Sequence, residues 1–143
     1  KRQVLSVEKK LFVETNNGTN RQIRPVTPEQ PLRIGDKVIV RLTIRTDREM
    51  NYVFLKDLRA GCFEPADQLS GPESRDGIWY YRSPKDVSEN FFINRLPEGT
   101  FVLEYPVYVS RSGEYAGGIS TIQCMYAPEF VSHTAGESLR IMP

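Results

Sequence analysis

The chain has 143 residues, the size of one ordinary domain. Lys and Arg total 19 against 18 Asp and Glu, a formal net charge of +1, which excludes the clustered cationic excess of a general nucleic-acid binder. Two cysteines exclude a disulfide-dense scaffold, and no apolar run approaches the ~18 residues of a membrane-spanning helix.

From Leu5 to Val13, apolar and polar residues alternate with period two, with Lys9 interrupting the apolar set, which predicts a half-buried strand. Asn17-Gly18 tolerates the positive φ angles of a type I′ hairpin turn, so the chain is expected to return through Arg21 to Arg24. Thr27 to Pro31 holds two prolines and reads as an extended connector. After the turn signal Gly35-Asp36, Lys37 to Thr46 is the cleanest strand: Val38, Val40, Leu42 and Ile44 share one face, and Ile39 is the apolar exception on the other. Asp47 to Asn51 predicts a polar turn, and Tyr52 to Leu58 a strand.

Arg59 to Gly77 reads as a long irregular loop, of a length that often has a role. Further strands are expected at Ile78–Ser83, Asn90–Leu96, Thr100–Val109, Ile119–Tyr126 and Glu137–Ile141, with tight turns at Pro97-Glu98-Gly99 and Ser112-Gly113. Pro106 lacks a backbone donor, so its strand is expected at an edge or with a bulge. Eight or nine short strands without a helical period predict an all-β fold, an antiparallel two-sheet β-sandwich forming a single domain over 1–143. The strand signal by Leu5, with no leader, fits a domain cut from a longer protein.

Catalytic chemistry has little to draw on. The one histidine, His133, has no partners in sequence for a Ser-His-Asp triad, and no G-x-S-x-G elbow occurs. His133, Cys62 and Cys124 form no zinc spacing, and no metal or other cofactor is expected. Asp57, Glu64, Asp67, Glu73 and Asp76 around the long loop lack EF-hand spacing, and read as solvated acids rather than a calcium site. Asp57 with Glu64 as a glycosidase pair has no other support. Trp79-Tyr80-Tyr81 with Phe91-Phe92 is the densest aromatic cluster; core on one strand face and rim on the other is favoured over a stacking platform for a ligand.

Asn17-Gly18-Thr19 matches a glycosylation sequon, but the turn explains it as well. Cys62 and Cys124 are a possible disulfide, with two buried free thiols the alternative. Cys62-Phe63-Glu64-Pro65 has proline where a Cys-x-Glu-Gln thioester motif needs glutamine, so this stretch cannot form that bond.

Three segments together resemble a known family. They are Leu32-Arg33-Ile34-Gly35-Asp36-Lys37-Val38, then Tyr52 through Pro65, and then Gly99 to Tyr105 with Ser112-Gly113-Glu114-Tyr115 and Met125-Tyr126-Ala127-Pro128. In order and spacing the chain is similar to the C-terminal, tenth macroglobulin-like domain of a bacterial alpha-2-macroglobulin, although Arg59 stands where that family often has proline. The resemblance covers nearly the whole chain and is weakest over 69–90.

It implies an immunoglobulin/macroglobulin-like sandwich without catalysis of its own, within a large periplasmic or cell-envelope protein, possible lipoprotein anchoring included, that entraps proteases. The implied partners are a thioester or thioester-like helical domain of the same chain and, through the full-length protein, target proteases, with no nucleic acid. It further implies that Met125 and Tyr126 shield a thioester or form a domain interface, with Tyr115 and Pro128 as weaker neighbours. The rival expectation is a stand-alone carbohydrate or adhesin module using Trp79 and Tyr80. The first predicts an exposed apolar patch around Met125-Tyr126, the second a groove with aligned aromatic faces.

Overall fold

The computed structural model describes residues 3–67 and 70–143, except for the Asn17 side chain, on which the glycosylation expectation falls and which lies outside the described residues. Fourteen strands and no helix occur among the described residues. In chain order they are β1 (Leu5–Asn17), β2 (Asn20–Pro25), β3 (Leu32–Arg33), β4 (Lys37–Thr46), β5 (Met50–Leu58), β6 (Phe63–Pro65), β7 (Gly71–Arg75), β8 (Ile78–Pro84), β9 (Ser88–Leu96), β10 (Gly99–Val109), β11 (Gly113–Ala116), β12 (Ser120–Cys124), β13 (Ala127–His133) and β14 (Ser138–Met142).

A five-stranded sheet, β2-β1-β4-β10-β6, faces a six-stranded sheet, β13-β12-β5-β9-β8-β7, and both are antiparallel. A small sheet, β11-β14-β3, adds Leu32 and Ile141 to the core; its β14–β3 pair is parallel. The core lies between the two large sheets. Val38, Val40, Leu42 and Ile44 of β4 with Leu103, Tyr105 and Val107 of β10 meet Val53 and Leu55 of β5, Phe91 and Ile93 of β9, and Ile122 of β12. This is the expected sandwich, built by period-two alternation on both sides.

Four local expectations change. The β1–β2 hairpin pairs Asn17 with Asn20, so its corners are Gly18-Thr19, with Gly18 at φ +70°; glycine at the first corner is the type II′ arrangement rather than I′. The Asp47–Asn51 turn is shorter, because β5 already begins at Met50. The long loop 59–77 contains β6 and β7, and β7 joins β8 through Asp76-Gly77, both at positive φ. Residues 127–133, not expected as a strand, form the edge strand β13.

Pro106 sits inside the five-stranded sheet, opposite Ile39 of β4. Its carbonyl accepts from the Ala66 amide, so its missing N–H faces the β6 side, where β6 pairs only Val107 to Val109. Further along that open side, the Asp76 carboxylate accepts from the Val102 amide at 2.8 Å, so the β7–β8 turn covers the edge.

The outer face of the five-stranded sheet is laced with ion pairs: Glu8–Arg45 at 2.9 Å, Arg41–Glu104 at 2.5 Å, and Glu14 with both Arg21 at 2.6 Å and Lys37 at 2.9 Å. Lys37 and Arg21 hold the Glu14 carboxyl below its ordinary range by hydrogen bonds and charge. A lowered carboxyl contributes stability that is complete above its unfolded value, about 4.5, and is lost as pH falls through the folded value. Both cations are solvated, so the contribution is about 0.5 kcal/mol. Glu14→Gln is expected to flatten that small acid limb in urea-denaturation midpoints measured from pH 6 to pH 3.

Candidate functional site

Met125 and Tyr126 form the two-residue corner of the β12–β13 hairpin: Cys124 pairs with Ala127, and the register shifts by a bulge at Gln123/Cys124. A bulge turns the hairpin tip away from the sheet plane and so projects its side chains. The corner leans on β5, where the Met125 amide donates to the Tyr52 carbonyl at 2.8 Å. Tyr52 holds φ at +59°, a left-handed conformation that costs a non-glycine residue about 1–2 kcal/mol. Its ring meets Tyr126 edge-on, with centroids 4.9 Å apart and planes at 72°.

Despite these contacts the cluster is open to solvent: Tyr126 is 78% exposed, Met125 54% and Tyr52 49%. A strained backbone that presents two tyrosines and a thioether outward is a built apolar knuckle. Sequence reasoning missed Tyr52, because nothing in Asn51-Tyr52-Val53 marks a left-handed residue.

The knuckle continues onto the outer face of the six-stranded sheet. One cross-strand row runs Val131–Gln123–Phe54–Phe92–Tyr81–Pro72 across all six strands. Phe54 and Phe92 stack at 4.7 Å. Trp79, two residues before Tyr81 on the same face, is 70% exposed. The aromatic cluster thus divides as expected. Tyr80 and Phe91 turn inward with centroids 5.7 Å apart, while Trp79, Tyr81 and Phe92 turn out. Tyr80 cannot join Trp79 in a ligand platform. Burial, with Glu73 beside it, pushes its hydroxyl up to about 12, and that hydroxyl donates to Glu73 at 3.2 Å.

The remaining candidates lie apart. Pro128 is exposed near the knuckle, its carbonyl accepting from Gln123 Nε2 at 3.1 Å. Tyr115 sits on β11 against Gly61 and Gly113, its hydroxyl donating to the Ser112 carbonyl at 2.9 Å. Gly61 follows the far end of β5, so Tyr115 is not brought together with Met125-Tyr126. Cys62 and Cys124, weighed as a pair, are both buried free thiols. Cys124 Sγ donates to the Asn51 carbonyl at 3.5 Å behind the knuckle, and burial pushes the Cys62 thiol up.

His133 is exposed at the end of β13. Asp57 is fully buried, accepting from Lys9 Nζ and Ser120 Oγ, each at 2.7 Å, and from the Tyr105 hydroxyl, so it forms no open pair with the exposed Glu64. Glu89 is likewise buried between Arg59, at 2.9 Å, and Arg82. No group of three or more metal-ligating side chains occurs among the described residues.

Fold and site together define a macroglobulin-like β-sandwich with a projecting apolar knuckle. The family model of the bacterial alpha-2-macroglobulin MG10 domain matches residues 5–129, and the chain belongs to that family. Salmonella alpha-2-macroglobulin reacted with methylamine shares the fold with a TM-score of 0.74 at 21% identity, over 99% of this chain and 9% of that one. Native Escherichia coli alpha-2-macroglobulin, in a structure spanning domain MG7 to the C-terminus, matches with a TM-score of 0.74 at 16% identity, over 100% of this chain and 24% of that one. A curated relative, circularly permutated Ras protein 2 of Dictyostelium discoideum, is 28% identical over 109 residues, 76% of this chain and 3% of that protein. The chain therefore spans a small part of each of these proteins.

Proposed function

We propose that this chain is the C-terminal, tenth macroglobulin-like domain of a bacterial protease-trapping alpha-2-macroglobulin. It has no catalysis of its own, and its Met125-Tyr126 knuckle docks on a thioester or thioester-like domain of the same polypeptide to hold the native, uncleaved state. The parent protein would act on attacking proteases in the periplasm or at the cell envelope. The observation that carries this reading is the knuckle itself. Tyr52, strained at φ +59°, buttresses Tyr126 while both remain about half or more exposed, an arrangement that supplies a contact surface and contributes nothing to this domain's own core. A flat aromatic and a flexible thioether exclude water well from a neighbouring reactive bond. The family match and the methylamine-reacted Salmonella relative support the same assignment.

The test is made in the parent polypeptide. Where its helical domain carries a thioester, Tyr126→Ala is expected to speed consumption of the native protein by methylamine about tenfold, the effect of losing ~1.4 kcal/mol of docking energy. Where it carries none, the same variant is expected to make this domain cleavable by limited proteolysis at a protease concentration that leaves the native parent intact. A Tyr126→Ala protein indistinguishable from the parent in both assays overturns the reading.

A further inference from the structure

The two outer faces of the sandwich have opposite chemistry. On the five-stranded sheet, Glu8, Arg41, Arg45 and Glu104 are ion-paired, the Arg41 guanidinium lies 4.4 Å over the Phe12 ring, and the exposed apolar side chains Ile23 and Tyr108 stand singly among these charges. On the six-stranded sheet, the row from Val131 to Pro72 contains no charged residue, and among the described residues no cation lies over its aromatic rings. Tyr52, Trp79, Tyr81, Phe92, Met125 and Tyr126 are each between 47% and 78% exposed. At ~200 Å² for each large side chain, this leaves roughly 700 Å² of largely apolar surface in water. That exceeds what a free-standing domain ordinarily shows and approaches one side of a standard protein interface. The row is six strands wide, about 24 Å at the usual strand spacing, and is continuous at one side with the knuckle.

We infer that this whole face is a docking surface for a neighbouring folded domain of the same polypeptide, with Trp79, Tyr81 and Phe92 as its anchors and the Met125-Tyr126 knuckle at its rim. The inference rests on the reading of this chain as one domain of a longer macroglobulin. It adds that the principal contact lies on the sheet. The occupant is set by three observations. The exposed rings are spread along a row that crosses six neighbouring strands, a breadth that suits another packed domain better than a small sugar; a cleft of about 1230 Å³ lies elsewhere, lined in part by β1, residues 25–32 and residues 133–142. The matched alpha-2-macroglobulins are many times longer than this chain, so tethered domains are available as partners. Tethering also raises the local concentration enough for a partner to cover such a face without high intrinsic affinity.

Ser74 is exposed and lies directly opposite Trp79, so a thiol placed there reports cover over the face. Maleimide labelling of Ser74→Cys is to be compared between the 143-residue chain and the parent polypeptide, with Arg45→Cys on the opposite face as control. The expected result is labelling at least tenfold slower in the parent at Ser74→Cys, with no difference at Arg45→Cys. Adding Trp79→Lys with Phe92→Lys should restore the fast rate; both side chains lie outside the core, and thermal unfolding of each variant verifies the fold. Equal rates at Ser74→Cys in chain and parent overturn the inference, and if Tyr126→Ala still accelerates methylamine consumption, the knuckle reading survives alone. Concentration-dependent protection in the 143-residue chain, abolished by Trp79→Lys, would make the occupant a second copy and overturn it too. So would binding of this chain to a glycan array that Trp79→Lys removes.

Discussion

Gly118→Ala is expected to destabilise the fold by about 3 kcal/mol or more, the largest effect of any glycine substitution in the chain. A Cβ at Gly118 would run into the Leu58 carbonyl group and crowd the Arg59 amide nitrogen. Neither can retreat. The Leu58 amide donates to the Ile119 carbonyl at 3.0 Å and the Arg59 amide to the Val87 carbonyl at 2.9 Å, and the Leu58 carbonyl accepts from Lys9 Nζ at 3.3 Å. Backbone held on both sides cannot move for a methyl group, unlike the end of a flexible side chain. Gly61→Ala is the matched control. Its Cβ would meet the Tyr115 ring at 3.5 Å, an ordinary contact, so it is expected to stay within about 0.5 kcal/mol of the parent chain. Urea denaturation with a shared m-value separates the two; a Gly118→Ala midpoint equal to that of Gly61→Ala would contradict the close approach of strands β5 and β12.

What could be read in advance follows from where the information resides. Alternation in Leu5–Val13 and Lys37–Thr46 is a property of single strands, and both became central strands of one sheet. Their two exceptions were visible, but the reasons for them were not. Lys9 points inward because Asp57, 48 residues later, supplies its counter-charge; Ile39 is buried on the outer face between Phe12 and Pro106, its partners in neighbouring strands. Pairing across long separations leaves no local trace. The same holds for β6 and β13, which are three and seven residues long, carry a proline each, and form because β10 and β12 offer them an edge. Met125 and Tyr126 were nominated through resemblance alone. Their hairpin corner, the left-handed Tyr52 beneath them and the aromatic row beside them emerge only once the registers of six strands are known.

The second large effect concerns the buried charges that made Lys9 an exception. Asp57 has no solvent access, and its carboxylate accepts from Lys9 of β1, Tyr105 of β10 and Ser120 of β12, tying the two sheets together through one side chain. Lys9 Nζ in turn donates to the Leu58 and Gly118 carbonyls, at 3.3 and 3.1 Å. Asp57→Ala leaves the Lys9 ammonium without its counter-charge and two buried hydroxyls without their acceptor, and is expected to cost about 3 kcal/mol or more, a large part of the stability of a domain this size. Lys9→Met leaves Asp57 with two neutral donors and is expected to cost about 3 kcal/mol. The double variant Lys9→Met/Asp57→Leu removes both charges and should cost less than the sum by about 2 kcal/mol, because the penalty of each single change is the stranded partner. Denaturant midpoints for the four proteins give that coupling directly; strict additivity would mean the two charges are solvated independently. The cluster lies at the Leu58 end of β5 and the knuckle at the Tyr52 end, about 17 Å apart along the strand. Where the parent polypeptide carries a thioester, Asp57→Ala should therefore lower the unfolding midpoint while leaving the methylamine sensitivity of the folded protein unchanged. Tyr126→Ala should do the reverse, so the pair of variants separates what holds this sandwich together from what it presents to its neighbours.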